Sequence, residues 1–116
     1  MIKLRSFNDD KIFKKILRNK KINSNNFTLY YLKNMETIKN NNELAISFVM
    51  KKKIGNAVKR NKIKRKLKAA VQKIIKNGEK INLNYTYIIF GKNTAYKEKF
   101  SVISDETKNI FNKIKN

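Results

Sequence analysis

Between Lys51 and Lys76 the chain carries ten lysines, two arginines and no acid, yet apolar residues recur through it at helical spacing. At about 100° per residue, Ile63, Leu67, Ala70, Val71 and Ile74 fall on one stripe, and Asn61, Lys64, Arg65, Lys68 and Gln72 fall opposite. A segment with both features is predicted to be an amphipathic helix with its stripe laid on a sheet. Asn56, after Gly55, is placed to cap its start, and Gly78, after Asn77, to stop it. Like charges one turn apart repel by a few tenths of a kcal/mol, and neither Arg60/Lys64 nor Lys64/Lys68 has an acid at helical spacing. The counter-charge must come from another molecule.

The formal net charge is +21, from 29 basic and 8 acidic residues. The helix and its approach supply more than half of it. Part of the lysine excess reflects composition, because lysine, asparagine and isoleucine are all abundant, as in AT-rich coding. Arginine is scarce, so Arg60 and Arg65 inside the stretch are the more telling. The guanidinium fork grips a phosphate or a base edge at two points, which lysine cannot do. Nucleic acid is therefore the leading partner. An anionic membrane surface fits less well, because the apolar stripe is needed to cover strands.

Cys and His are absent. No disulfide, thiolate or imidazole metal site, or histidine-activated nucleophile can form. The acids are scattered, whereas a metal-dependent nuclease needs several converging carboxylates, and no glycine-rich phosphate loop occurs. The expectation is no catalytic residue and no protein-held metal. If the chain serves RNA chemistry, the reacting groups come from elsewhere. No signal-peptide run or bilayer-length apolar segment is present, so a cytoplasmic protein is expected.

The remaining elements follow from pattern. A helix is predicted from about Asn8 to Asn19, capped by Asn8, with Ile12, Phe13, Ile16 and Leu17 along one face. FTLYYL (27–32), LAISFVM (44–50) and YTYIIF (85–90) read as strands, the second buried on both faces, and a short strand is expected near Ile22. ETIKNNNEL (36–44) reads as a turn or longer hairpin loop. A last helix is expected to start at Ser104 with Asp105 and Glu106 and to carry Ile110, Phe111 and Ile114. This order predicts an α+β sandwich in one domain, residues 1–116, with the strands flanking the basic helix as parallel neighbours. Phe13, Leu17 and Tyr30 are candidates to line a groove where unpaired bases stack. Core packing is the alternative for Phe13 and Leu17.

The stretch KKIGNAVKRNKIKR (52–65) resembles the protein subunit of bacterial ribonuclease P, whose hallmark is an Arg-Asn pair followed by a basic pair three and four residues after the Asn. Arg60, Asn61, Lys64 and Arg65 carry it here. FTLYYL, YTYIIF and DETKNIFNKI are weakly similar to the family's aromatic strand, last strand and closing helix. The resemblance implies an αβββαβα sandwich with a left-handed parallel βαβ crossover, against the usual hand. It implies an RNA-binding subunit of a tRNA-processing endonuclease, in which the RNA is the catalyst and Mg2+ is held mainly by that RNA. The partners implied are the ribonuclease P RNA and the 5′ leader of precursor tRNA, with the protein a monomer in the holoenzyme. Matched by motif, Lys52, Lys53, Asn56, Arg60, Asn61, Lys62, Lys64, Arg65 and Lys68 form the RNA face, and Phe13, Leu17 and Tyr30 the leader cleft. Lys62 and Lys68 stand where the family usually has Arg, Leu17 stands where an aromatic is common, and GKNTA (91–95) lacks the usual proline. A ribosomal RNA-binding protein and an independent protein nuclease are the competing functional classes.

Overall fold

Strand alternation in three segments and capped helices between them build one mixed sheet. The computed structural model describes residues 2–34 and 42–114. Its elements are β1 (Lys3–Arg5), α1 (Asp10–Leu17), β2 (Lys20–Asn23), β3 (Phe27–Lys33), β4 (Glu43–Val49), α2 (Ala57–Lys76), β5 (Tyr85–Gly91) and α3 (Phe100–Asn112). Short 3₁₀ turns occupy Lys52–Ile54 and Asn93–Tyr96. The sheet order is β1-β4-β5-β3-β2, with β4 and β5 parallel and β3 antiparallel to both β2 and β5. The basic helix is thus the crossover between two adjacent parallel strands, as expected. Most of the predicted loop at 36–44 lies outside the described residues.

The two sheet faces have different tasks. Phe27, Leu29 and Tyr31 of β3, Leu44 and Ile46 of β4, and Tyr87 and Ile89 of β5 point to the face covered by α2 and α3. All five stripe residues of α2 are buried in that core, together with Ile103, Ile110, Phe111 and Ile114. At Gly91 the sheet packs tightly against Met50 and α2. A Cβ there would run into Met50 Sδ, and Ile63 Cγ2 would lie only 2.9 Å away. On the other face α1 rests over β3 and β5, with Ile16 fully buried. β4 is buried on both faces only in part. Ser47 is buried on the α1 side, where its Oγ donates to Phe7 O at 2.7 Å and accepts from Phe7 N at 3.2 Å.

Three sequence expectations need correction. An N-terminal strand, β1, precedes the first helix and pairs parallel with β4 through Leu4 opposite Leu44. The order is therefore one strand longer than αβββαβα. Helix α1 is shorter than 8–19, and its cap is Asp9 rather than Asn8: Asp9 Oδ1 accepts from Lys11 N at 2.9 Å and from Ile12 N. Helix α3 begins at Phe100, a turn before Ser104, which is buried within it.

Candidate nucleic-acid interface

Helix α2 starts as its sequence dictates. Asn56 Oδ1 accepts from Lys59 N at 2.9 Å, capping the first turn. Gly55 before it has φ 154 and ψ −163, a conformation that essentially only glycine holds without strain. At the far end Asn77 is the C-cap and Gly78, at φ 71, turns the chain away. These caps fix where the helix starts and stops, and the buried stripe fixes its rotation and hence which cations face outward.

Asn61, Lys64, Arg65, Lys68 and Gln72 are all exposed and share the outward flank. Lys52 and Lys53 are exposed in the 3₁₀ turn that leads into the helix. The other predicted residues do not all join this patch. Lys62 is exposed on the opposite flank, where its Nζ lies 4.9 Å from the centroid of Tyr96, with Lys59 Nζ at 5.1 Å from the same ring. Arg60 is half-buried beside the stripe, and its Nε has no hydrogen-bond partner among the described residues. Asn56 spends its side-chain oxygen on the cap.

Lys66 sits in the middle of the basic motif but points inward. Its Nζ donates to three backbone carbonyls of the segment after β5: Ala95 at 3.2 Å, Tyr96 at 2.7 Å and Glu98 at 2.9 Å. Burial holds this ammonium below its usual pKa, and Lys62 nearby pushes the same way, with Glu98 opposing. The clamp fixes Tyr96 beneath Lys59 and Lys62.

On the α1 side of the sheet, beside the entry to α2, lies a groove of about 710 Å³. Leu17, Thr28, Tyr30, Ile54 and Phe90 supply its apolar surface, and Lys51, Lys53 and Lys92 supply cations. The Tyr30 and Phe90 rings meet edge-on at 5.4 Å. Lys51 Nζ lies 5.7 Å over Phe90 and Lys21 Nζ 5.9 Å over Tyr30. Aromatic faces flanked by ammonium groups suit a single-stranded segment, whose bases stack while its phosphates are neutralised. Of the three predicted cleft residues, Leu17 and Tyr30 line the groove. Phe13 does not. Its half-buried ring packs instead on Phe7 at 5.1 Å, outside the core cluster.

Sequence reasoning missed Phe90, Ile54, Lys51 and Lys92. Alternation along β5 held the clue for Phe90, because Tyr87 and Ile89 face the core and leave Phe90 on the other side. The rest depend on a turn and a loop whose positions are not encoded locally.

Among the described residues no three His, Cys, Asp or Glu side chains converge as a metal site, and no helix is long and apolar enough to cross a membrane. An acid-free helix roofing one sheet face, with an aromatic, lysine-rimmed groove on the other, defines a polyanion-binding α+β domain. The sequence profile of the family described as Ribonuclease P matches residues 1–115. The ribonuclease P protein component of Carboxydothermus hydrogenoformans is 34% identical over 107 residues, covering 91% of this chain and 87% of that protein. The corresponding protein of Clostridium acetobutylicum is 27% identical over 101 residues, covering 87% and 81%. The chain belongs to the ribonuclease P protein family, and RNA binding and tRNA processing follow from that membership. The fold agrees: the RNase P protein of Thermotoga maritima superposes with a TM-score of 0.75 at 18% identity over 97% of this chain and 99% of that one. The protein from Staphylococcus aureus gives 0.72 at 21% identity over 92% of each.

Proposed function

We propose that this chain is the non-catalytic protein subunit of a ribonuclease P holoenzyme, binding the catalytic RNA and the 5′ leader of precursor tRNA. The observation that carries the reading is the exposed row Asn61, Lys64, Arg65 and Lys68 on an acid-free helix whose entry borders the Tyr30–Phe90 groove. In this reading the row, with Lys52, Lys53, Asn56, Arg60 and Lys62 around it, holds RNA phosphates, and each contact gains by releasing counterions. Leu17 and Tyr30 receive the leader, with Phe90 extending the stacking surface and Phe13 supporting α1 from behind. In this reading Mg2+ is held mainly by the RNA. The RNA performs the cleavage. The protein lends cations and a leader track, acts as a monomer in the complex and works in the cytoplasm.

The test separates the two surfaces. Arg65→Ala weakens association with the RNA subunit by about 1–2 kcal/mol, the scale of a charge-assisted hydrogen bond. Tyr30→Ala leaves that association unchanged and lowers the preference of the reconstituted complex for precursor over mature tRNA. Equal losses on both tRNA forms would refute the division.

A further inference from the structure

The outward flank of α2 does not end with the motif. Two turns beyond Arg65 it faces β1 at the open edge of the sheet, and the two elements enclose a second groove of about 480 Å³. Its floor is aliphatic: Ile2, Leu4 and Ile75, all half-buried and packed on the core. Its rim is Lys68, Lys76 and the carboxamide of Gln72, with no acid among the lining residues. Lys3 lines the groove between Ile2 and Leu4 in the strand, and alternation turns its side chain to the other face, the side of the Arg5–Glu43 ion pair at 3.3 Å. Two cations thus flank an apolar floor, and Lys68 belongs both to this rim and to the motif row.

We infer that this groove holds an unpaired nucleotide of the RNA, with its base on Ile2, Leu4 and Ile75 and a flanking phosphate on Lys76, beside Lys68 of the motif row. The inference rests on the RNA-binding reading above and adds a contact outside both the motif row and the aromatic groove. The volume suits a small ligand, within the roughly 300–1,000 Å³ of such sites. The charge demands an anion. An amide donor and acceptor at Gln72 pairs with the polar edge of any base, so the site holds a nucleotide without fixing its identity. Lys3 on the sheet edge also discourages strand addition by another protein.

The chain has no cysteine, so Gln72→Cys offers a single attachment point for a photo-crosslinker in the reconstituted RNA complex. The expected result is cross-linking to one short run of nucleotides. The variant Lys76→Gln should lower the log–log salt slope of RNA binding by about 0.7–0.9, one phosphate's worth. Its affinity deficit should then shrink about threefold between 50 and 200 mM salt. The precursor-to-mature preference should stay unchanged. An unchanged slope with scattered or absent cross-links, while Arg65→Ala still weakens RNA binding, overturns the groove assignment alone. Loss of effect from Arg65→Ala as well would overturn the RNA reading beneath it. A shift in sedimentation on Ile75→Ser, with RNA binding intact, would give the groove to a second copy of the chain and also overturn the assignment.

Discussion

Lys66 offers the sharpest separation of structural from RNA-binding charge, because Arg65 before it and Lys68 two residues after it are exposed cations and it is not. Replacing it with Met keeps the aliphatic stem but removes the donors to Ala95 O, Tyr96 O and Glu98 O. Ala95 is fully buried, so its carbonyl is left without compensation, while Tyr96 and Glu98 are half-exposed and water replaces much of what they lose. An unsatisfied buried acceptor costs about 1–3 kcal/mol and a hydrated one far less, which places Lys66→Met at about 2 kcal/mol. For a domain of this length that lowers Tm by roughly 6–12 °C. Urea and thermal unfolding followed by circular dichroism measure it. The second readout is the salt slope of RNA binding, which falls by about 0.7–0.9 for each phosphate-contacting lysine removed and should not change for Lys66→Met under conditions where the variant is folded. A loss below 0.5 kcal/mol together with a slope reduced by one phosphate would show that Lys66 faces RNA, contradicting the geometry.

Three other perturbations test the fold around the interface. Glu106 accepts from Asn26 N at 3.0 Å, from Asn26 Nδ2 at 2.7 Å and from Ser24 Oγ, tying α3 to the β2–β3 turn. Glu106→Ala should therefore cost about 2–3 kcal/mol in urea unfolding, and Glu106→Gln less. Tyr87, whose hydroxyl donates to Asn82 O at 2.6 Å, has its pKa raised far above the usual 10 by burial first and by Tyr85 and Tyr31 second. Its stabilising contribution is complete below pH 10 and declines above it, because the unfolded chain ionises first. Tyr87→Phe should flatten that alkaline decline, and an identical pH profile in the variant would contradict the burial argument. Gly55→Ala should lose about 1–3 kcal/mol and displace Lys59, whose Cδ lies 2.8 Å from the new Cβ position, with nuclear magnetic resonance reporting the change at Tyr96.

Helix α2 was legible in full because its signals are local: a cap residue, five apolar positions in register and a glycine stop. The buried stripe and exposed row emerged as its periodicity required. Strand β1 was not legible. Three residues, KLR, are too few for their alternation to stand out, and their pairing with β4 joins positions some forty residues apart. The start of α3 misled for a different reason. The SDE run at 104–106 looks like a helix opening, but Phe100 and Val102 extend the helix backward from Lys99, which makes no side-chain capping bond. At the interface, Leu17 and Tyr30 come to line one groove because an aromatic strand beside an amphipathic helix leaves few directions to face. The Phe13 ring meets Phe7, in the irregular segment before α1, a contact with no local sequence signal. The distinction between Lys62, Lys66 and Lys68, all lysines in one run, depends on what lies across from each, and no local pattern states that.

The most direct test of a protein that supplies charge and shape to a catalytic RNA is a magnesium titration of 5′-leader removal from precursor tRNA, with the cognate RNA alone, the protein alone and the two together. The account predicts no cleavage by the protein at any magnesium concentration, and a midpoint for the RNA that falls when the protein is added. Cleavage by RNA-free protein, or a midpoint that does not move, would contradict it.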